Sequence, residues 1–244
     1  MIAVALPHGL SLELVKIPAG SFCMGSLEGD SAAGDNEMPR HRVEITREFF
    51  LGRFEITQAQ WNAVMGTNPS HFKDCPQCPV EMISWRDATT FVAKLNARQR
   101  KYRFRLPTEA EWEYATRAGS QANFAYGDTL SSTQANFDGN FPFGNVAQGR
   151  FLKRTAEVGG YPPNQWGLYD IHGNVWEWCS DYFGQYRNRV QRDPKGPATG
   201  RSHVLRGGSW FVNAVNARSA TRHNLAADQR NPNNGMRIAA EKRP

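Results

Sequence analysis

Hydrophobic and polar residues alternate along three short segments in the first fifth of the chain. These segments are 12–17, 22–25 and 42–52, and in the last of them Val43 and Ile45 share one face. An apolar residue at every second position is typical of a half-buried β-strand. The sequence therefore predicts strands in all three segments.

Three later segments carry the signals that begin and end helices. Thr57, Ser84 and Thr108 stand at N-cap positions, and an acidic residue three places after each of the last two completes a capping box. Gly66 and Gly119 end the first and third helices. The second helix has apolar residues at helical spacing: Ala88, Phe91, Val92 and Leu95.

Regular periodicity fades in the second half of the chain. Residues 120–200 are rich in Gly, Pro, Asn and aromatic residues, with only short apolar runs between predicted turns. So much loop needs internal anchors, and Trp166, Trp176 and Trp178 are expected to lie in the core, each with an indole N–H that requires a partner.

Composition and charge narrow the class of protein. The 244 residues are 40% hydrophobic and 21% charged, which suits one soluble domain over 1–244. No apolar run reaches the roughly 18 residues of a membrane span, and no basic leader precedes Pro7, so the sequence predicts a cytoplasmic protein without membrane contact. The net charge of +6 is scattered, so nucleic acid is not an expected partner.

The cysteines and histidines do not form a recognisable metal motif. Cys75 and Cys78 make a single C-x-x-C in a Pro-containing loop, which favours a structural loop or local disulfide over a zinc site. Cys23 and Cys179 are isolated. The six histidines are scattered without a facial triad and are interpreted as surface or capping residues.

Six motifs occur in the order that characterises one family. They span residues 17–25, 55–61, 79–85, 105–115, 167–178 and 205–210. Together they resemble the formylglycine-generating enzyme, or sulfatase-modifying factor, family over about residues 12 to 239. The resemblance implies an α+β protein with a modified C-type lectin fold: a small mixed sheet, flanking helices and extensive ordered loops.

The family resemblance also implies an activity that the residues do not support. Its oxidases convert a sulfatase cysteine to formylglycine with copper held by two cysteines a few residues after the Gly-Gly-Ser-aromatic motif. Here residues 210–219 contain no cysteine, so the pair of soft thiolate ligands that selects Cu(I) is missing. Another branch forms carbon–sulfur bonds on iron, usually with a separate helical domain for which this chain has no room.

A calcium site is a second feature that the family resemblance implies. It would use the carboxylates of Asp170 and Glu177 and the backbone carbonyls of Gly173 and Val175. An all-oxygen shell on an irregular loop suits this cation. The other interpretation is that the two carboxylates cap nearby backbone N–H groups. No cofactor is required by the sequence, and a structural calcium ion is the one candidate.

The C-terminal segment resembles a second group of proteins, the variable proteins of diversity-generating retroelements. Six Asn fall between residues 211 and 234, a density that turns alone would also explain. A Gly-Gly-Ser-Trp lead and supporting arginines at 218, 222, 230 and 237 match the variable-protein pattern, while Met236 replaces the usual aromatic residue. The resemblance implies a variable region over 205–239.

In such systems the adenines of Asn codons are randomised, which permits Asn, Phe, Val, Thr, His, Leu or Pro but not Lys, Glu, Gln, Met or Trp. The predicted ligand-binding positions all carry permitted residues: Phe211, Val212, Asn213, Asn216, Thr221, His223, Asn224, Leu225, Asn231, Pro232 and Asn233.

The sequence hypothesis is a non-catalytic ligand-binding protein whose diversified C-terminal surface contacts a protein or other macromolecule. A metal-dependent oxidase or transferase of the same family that lacks the copper cysteines is the rival hypothesis, and a scaffolding module of a larger complex is a third. Neither ligand identity nor oligomeric state follows from the residues.

Overall fold

Helices begin where the sequence provides a cap. In the computed structural model, which describes residues 1–27 and 29–243, these are α1 (Gln58–Met65), α2 (Trp85–Arg98) and α3 (Glu109–Arg117). In each, the cap hydroxyl accepts a hydrogen bond from the third backbone N–H, and the side chain of that third residue accepts one from the cap N–H. These reciprocal bonds satisfy donors that have no partner inside the helix, which fixes the start of each helix.

The strands are short. In the described part of the chain they are β1 (Ile2–Ala5), β2 (Ser11–Ile17), β3 (Gly20–Met24), β4 (His41–Ile45), β5 (Phe49–Gly52), β6 (Tyr102–Arg105), β7 (Trp176–Tyr182), β8 (Gln191–Arg192), β9 (His203–Arg206), β10 (His223–Leu225), β11 (Asn234–Gly235) and β12 (Ala239–Lys242). They form sheets with the orders β1-β2-β5-β12-β6, β10-β9-β7-β11 and β3-β4-β8. Pairing is antiparallel except for β11 with β7 and β8 with β4.

The third predicted strand is wrong in extent, because residues 42–52 form two strands in different sheets. β4 pairs with β3 and β8, whereas β5 pairs with β2 and β12. Between them Thr46 turns toward Asp193, whose carboxylate accepts a hydrogen bond from the Thr46 backbone N–H at 2.8 Å. The alternation continues across this break, so it does not reveal the change of sheet.

The principal core lies where α1 and α2 pack against the two larger sheets. Trp61 stacks on Phe91 with ring centroids 5.1 Å apart, and both are buried with Phe104 and Trp178 in one cluster. The Trp178 indole donates to the Ile83 carbonyl at 3.0 Å, as its burial requires. Trp176 and Trp178 are core residues as predicted.

Trp166 differs from its prediction, because it is half-buried at the edge of a second cluster. Loop structure does dominate residues 120–200, and single polar side chains hold it in place. The Asn164 amide donates to the carbonyls of Ala115 and Thr116 at 2.7 and 3.0 Å, which ties this loop to the end of α3.

Candidate functional site

Three C-terminal segments that the sequence assigns to ligand binding meet around two tryptophans. The segments are 211–213, β10 and 231–233. The Trp210 indole donates to the Pro232 carbonyl at 3.0 Å, and the Trp176 backbone N–H donates to the Asn233 carbonyl at 2.8 Å. The rings of Trp176 and His223 lie 5.1 Å apart. The tryptophans therefore form a floor that joins all three segments.

The exposed part of this surface is mixed in character. Phe211 is 62% exposed and packs edge-on against Trp210, with ring centroids 5.2 Å apart. Val212 and Leu225 are half-buried and pack against the principal core. The half-buried Asn233 donates from its amide to the Ser209 hydroxyl at 3.2 Å. A large exposed aromatic ring beside partly anchored polar groups suits recognition of a macromolecule.

We name this surface the variable face and define it by the predicted residues that the structure places on it: Phe211, Val212, Asn213, Asn216, His223, Leu225, Asn231, Pro232 and Asn233. Asn213 precedes a 3-10 turn at Ala214–Ala217 and Asn216 lies within it, and the Asn216 N–H donates to the Asn213 carbonyl at 2.9 Å. Asn216 is exposed. This turn extends the variable face away from the tryptophan floor.

Two predicted positions do not belong to the variable face. Thr221 is only 7% exposed, and its hydroxyl donates to the Val215 carbonyl at 3.2 Å. Asn224 lies between His223 and Leu225 on β10, so its side chain points to the opposite side of the strand. Codon compatibility does not sense burial or strand direction, which explains both differences.

Buried arginines fix the backbone of the C-terminal segments that carry the variable face. The Arg218 guanidinium binds both oxygens of Glu37 at 2.8 and 2.9 Å, and Arg222 binds both oxygens of Glu109 at 2.6 and 2.8 Å. Arg222 also stacks on Tyr186, with its guanidinium carbon 4.0 Å from the ring centroid. Each carboxylate lies in a segment more than 100 residues away, so these pairs fasten the C-terminal segment to the rest of the molecule.

Arg206 is the most deeply placed of these arginines. It is fully buried, pairs with Glu113, and donates to the carbonyls of Ser219 and Ala220 at 3.0 and 2.8 Å. It therefore neutralises a buried carboxylate and fixes the chain just before Thr221. We refer to Arg206, Arg218, Arg222 and Arg237 as the arginine frame.

The two carboxylates predicted as calcium ligands bind other groups of the protein instead. Arg237 binds both oxygens of Glu177 at distances of 2.8 to 3.0 Å, and the Trp112 indole donates to one of them at 2.7 Å. Glu177 therefore does not fit as a calcium ligand, because a permanent cation already neutralises it. One oxygen of Asp170 accepts the Gly159 N–H at 2.6 Å, and the other has no partner among the described residues.

A buried carboxylate that the sequence reasoning missed lies beside this cluster. Glu55 is 1% exposed and accepts hydrogen bonds from the Asn174 amide at 2.6 Å and the Val175 N–H at 3.2 Å. Burial, with the nearby charges of Asp170 and Glu177, raises its pKa well above the ordinary value. Glu55 therefore acts as a hydrogen-bonded brace for the backbone of residues 174–175, close to the position predicted for a carbonyl ligand.

No thiol reaches the variable face within the described residues. Cys75 and Cys78 form a disulfide with Cα atoms 5.3 Å apart, so neither is available to zinc. Cys179 is buried, and Cys23 is exposed on β3.

The histidines differ in part from the prediction that they are surface or capping residues. His172 is buried, with one ring nitrogen 2.7 Å from the Ala217 carbonyl and the other accepting the Ala125 N–H at 3.0 Å. His203 is also buried, and its ring stacks on Trp85 at 3.8 Å. Both are internal packing residues; burial lowers the pKa of His172 to about 4.

An aromatic and basic wall borders the variable face and was also missed. Phe72 lies edge-on to Trp210 at 5.3 Å, and Phe151 lies on it at 6.4 Å. The Arg154 guanidinium sits 5.6 Å from the Phe72 ring centroid, and the Lys153 ammonium sits 5.9 Å from that of Phe151. The sequence contains no pattern that predicts this wall, because its residues lie in two loops that no periodicity connects to Trp210.

Comparison with known proteins places this geometry in a family. The model of the sulfatase-modifying factor enzyme 1-like domain matches residues 7–242. The formylglycine-generating enzyme of Streptomyces coelicolor is 32% identical, with 92% of this chain and 88% of that protein covered. The Bos taurus formylglycine-generating enzyme is 30% identical, with 95% and 75% covered. No helix in the described residues is both long and apolar enough to cross a membrane.

Solved structures agree with the fold that the motifs imply. Treponema denticola variable protein 1 superposes with a TM-score of 0.85 and 28% identity, covering 100% of this chain and 99% of that one. PvdO from Pseudomonas aeruginosa gives 0.78 and 27%, with 95% of each chain covered. Both resemblances drawn from the motifs are confirmed, as is the α+β, modified C-type lectin fold. The chain belongs to the sulfatase-modifying factor enzyme 1-like domain family.

Proposed function

We propose that this protein is a non-catalytic binding protein whose variable face recognises a protein or other macromolecular ligand. The observation that carries the proposal is that supporting residues and surface residues are separate in the C-terminal segment. The arginine frame points inward and is fully paired with carboxylates, whereas Phe211 and Asn216 point outward. A surface built in this way can change its residues without disturbing the core.

The structural similarity to a protein named variable protein 1 supports this proposal, since it extends over the whole chain. The chemistry of the segment supports it too, because residues 210–219 contain no thiol and no carboxylate that could serve as a metal ligand. The similarity to formylglycine-generating enzymes supports the competing proposal, an oxidase or transferase without the copper cysteines.

The encoding DNA provides the first test. We expect a near-identical copy of the 3′ end of the gene beside a reverse-transcriptase gene, with differences only where the copy has adenine. A complete genome without such a copy would overturn the variable-protein proposal.

An activity assay separates the two proposals. The purified protein, supplied with copper or iron, oxygen and a thiol-containing peptide, is expected to convert no more thiol than the same mixture without the protein, as measured by mass spectrometry. Stoichiometric metal binding with multiple turnovers would establish the enzyme proposal instead.

Tolerance to substitution tests the architecture directly. Phe211→Thr, Asn216→Phe and Asn231→His, all codon-compatible, are expected together to shift the free energy of unfolding by less than about 1 kcal/mol, because these side chains are not in the core. Thr221→Phe is the matched variant: the same codon logic permits it, but it would place a large ring in a buried site. Equal effects of the two variants in urea unfolding would contradict the division between face and frame.

A further inference from the structure

A cavity lies away from the variable face, between β3 and the end of α3. It measures about 320 Å³, which is within the range of small-ligand sites. One wall carries three aromatic rings in a row. Tyr114 is the middle ring, with its centroid 5.3 Å from that of Phe22 and 5.0 Å from that of Trp166. We name it the aromatic–arginine cavity after this wall and the arginines that also line it, Arg40 and Arg42.

Two arginines that line the cavity have N–H groups without a close partner. The Nε of Arg40 is buried without a hydrogen-bond partner in the described residues, and its Nη2 lies 3.5 Å from the Gln121 amide oxygen, at the outer limit of a hydrogen bond. Arg42 is 4.0 Å from Glu44, and Arg192 approaches the same carboxylate more closely, at 3.1 Å. A guanidinium in this position is poorly neutralised and has donors that an anion would satisfy.

The other charged groups near the cavity are already paired. Arg117 also lines it, but its guanidinium is used by Glu113 and by the carbonyls of Gly25 and Ala122. Glu113 in turn binds Arg206, so this carboxylate does not oppose an anion in the cavity.

The carbonyl end of α3 does not oppose an anion either. Ala118 and Ser120 donate to the Tyr114 and Arg117 carbonyls at 3.1 and 2.7 Å, and Asn164 donates to the two carbonyls between them. The negative end of the helix is therefore covered by donors. The cavity is therefore lined by aromatic rings and by two arginines whose positive charge is only partly neutralised.

We propose that the aromatic–arginine cavity binds a small anion attached to a flat ring, such as an aryl phosphate or aryl carboxylate. The ring lies against Tyr114 and Trp166, and the anionic group accepts hydrogen bonds from Arg40 and Arg42. Ring stacking and a charge-assisted pair each contribute, so neither half of the ligand alone binds as well as the whole. This proposal does not depend on the function of the variable face.

Two residues that line the cavity, Cys23 and Trp166, can report on ligand binding. Cys23 is on its rim and is the free, exposed cysteine among the described residues, whereas Cys179 is buried. Burial and the neighbouring carboxylates raise the pKa of Cys179 well above the ordinary value, so a thiol reagent reacts with Cys23 first. Trp166 supplies a fluorescence change when a ring contacts it.

The test uses phenyl phosphate as the probe, with inorganic phosphate and phenol as its two separate halves. Phenyl phosphate is expected to slow the labelling of Cys23 and to change tryptophan fluorescence with one saturable Kd. Each half should bind at least roughly tenfold more weakly, and Arg40→Gln should raise the Kd of phenyl phosphate by roughly tenfold, the loss of one charge-assisted interaction.

Matched variants decide the outcome. Arg42→Gln provides a second, exposed rim variant if Arg40→Gln does not fold. Arg47→Gln removes an exposed charge outside the cavity and should leave the Kd unchanged, as should Phe211→Ser on the variable face. Absence of saturable protection, or an equal loss of affinity in Arg40→Gln and Arg47→Gln, would overturn the cavity proposal and leave that for the variable face intact.

Discussion

Single buried side chains fix the position of the C-terminal segments that carry the variable face. Arg206 illustrates this, because one guanidinium pairs with Glu113 and also donates to three successive carbonyls of residues 219–221. Lysine could replace the charge but not the planar set of donors. The residue is thus a structural support as well as a counter-ion.

Arg206→Lys is expected to lower the free energy of unfolding by about 3 kcal/mol, the usual cost of disrupting a buried pair. Urea unfolding monitored by fluorescence measures the change. Arg201→Lys, at an exposed position in the preceding loop, is the control and should have little effect. Similar values for the two variants would show that the arginine frame does not support the fold.

Asp181 gives a pH dependence whose sign follows from its surroundings. It is 4% exposed, accepts hydrogen bonds from the Glu109 N–H and the Ser180 hydroxyl, and burial with the charge of Glu109 raises its pKa to about 7. The folded protein therefore retains this proton at a pH where the unfolded chain has lost it. The stability that the proton contributes is present at low pH and is lost as the pH rises to about 7.

Asp181→Asn is expected to remove this decline, so that the variant gains stability relative to the parent protein between about pH 4 and pH 7. Unfolding free energies measured at intervals across that range provide the comparison. Asp228→Asn changes an exposed carboxylate and serves as the control. A parallel pH profile for Asp181→Asn and the parent protein would refute the assignment.

At the level of elements, α2 links ordinary helix capping to the variable region. Its capping carboxylate, Asp87, accepts from the Ser84 N–H and hydroxyl at 2.9 and 2.6 Å, and it also binds Arg230 through both oxygens at 2.7 and 3.0 Å. The start of the helix and the loop before Asn231 therefore share one carboxylate.

Ser84→Ala should destabilise the protein by about 1 kcal/mol, because the cap hydroxyl satisfies a donor at the start of the helix. Thr90→Ala changes an exposed hydroxyl within the same helix that only bonds back to the Arg86 carbonyl, so it should be neutral or slightly stabilising. Thermal unfolding of both variants gives the comparison. A loss of stability in Thr90→Ala as large as that in Ser84→Ala would contradict the assignment.

These elements also show which parts of the structure can be predicted from the sequence. Thr57, Ser84 and Thr108 located all three helix starts because capping is local chemistry that three or four residues encode. The break at Thr46 was missed because its partner, Asp193, lies 147 residues away. The ligand-binding face was predicted from motifs and stays a prediction, whereas the burial of Thr221 and the wall formed by Phe72 and Phe151 depend on loops brought together only in the folded chain.

At the scale of the whole molecule, the calcium hypothesis now depends on whether Asp170 can act as a ligand without Glu177. Because Arg237 already neutralises Glu177, we expect that chelation with EDTA leaves the melting temperature unchanged. Differential scanning calorimetry with and without added calcium tests this. A melting temperature that falls with chelator, and no longer does so in Asp170→Ala, would show that the unpaired Asp170 oxygen holds the ion after all.

The arginine frame has a kinetic consequence for any ligand of the variable face. Since the backbone is already held in place before encounter, binding orders only surface side chains and loses little conformational entropy. Versions of the protein that differ only at these positions should then associate with their ligands at similar rates. Their affinities would be set by how long each complex lasts, so residence time is the quantity that substitutions on this surface would change.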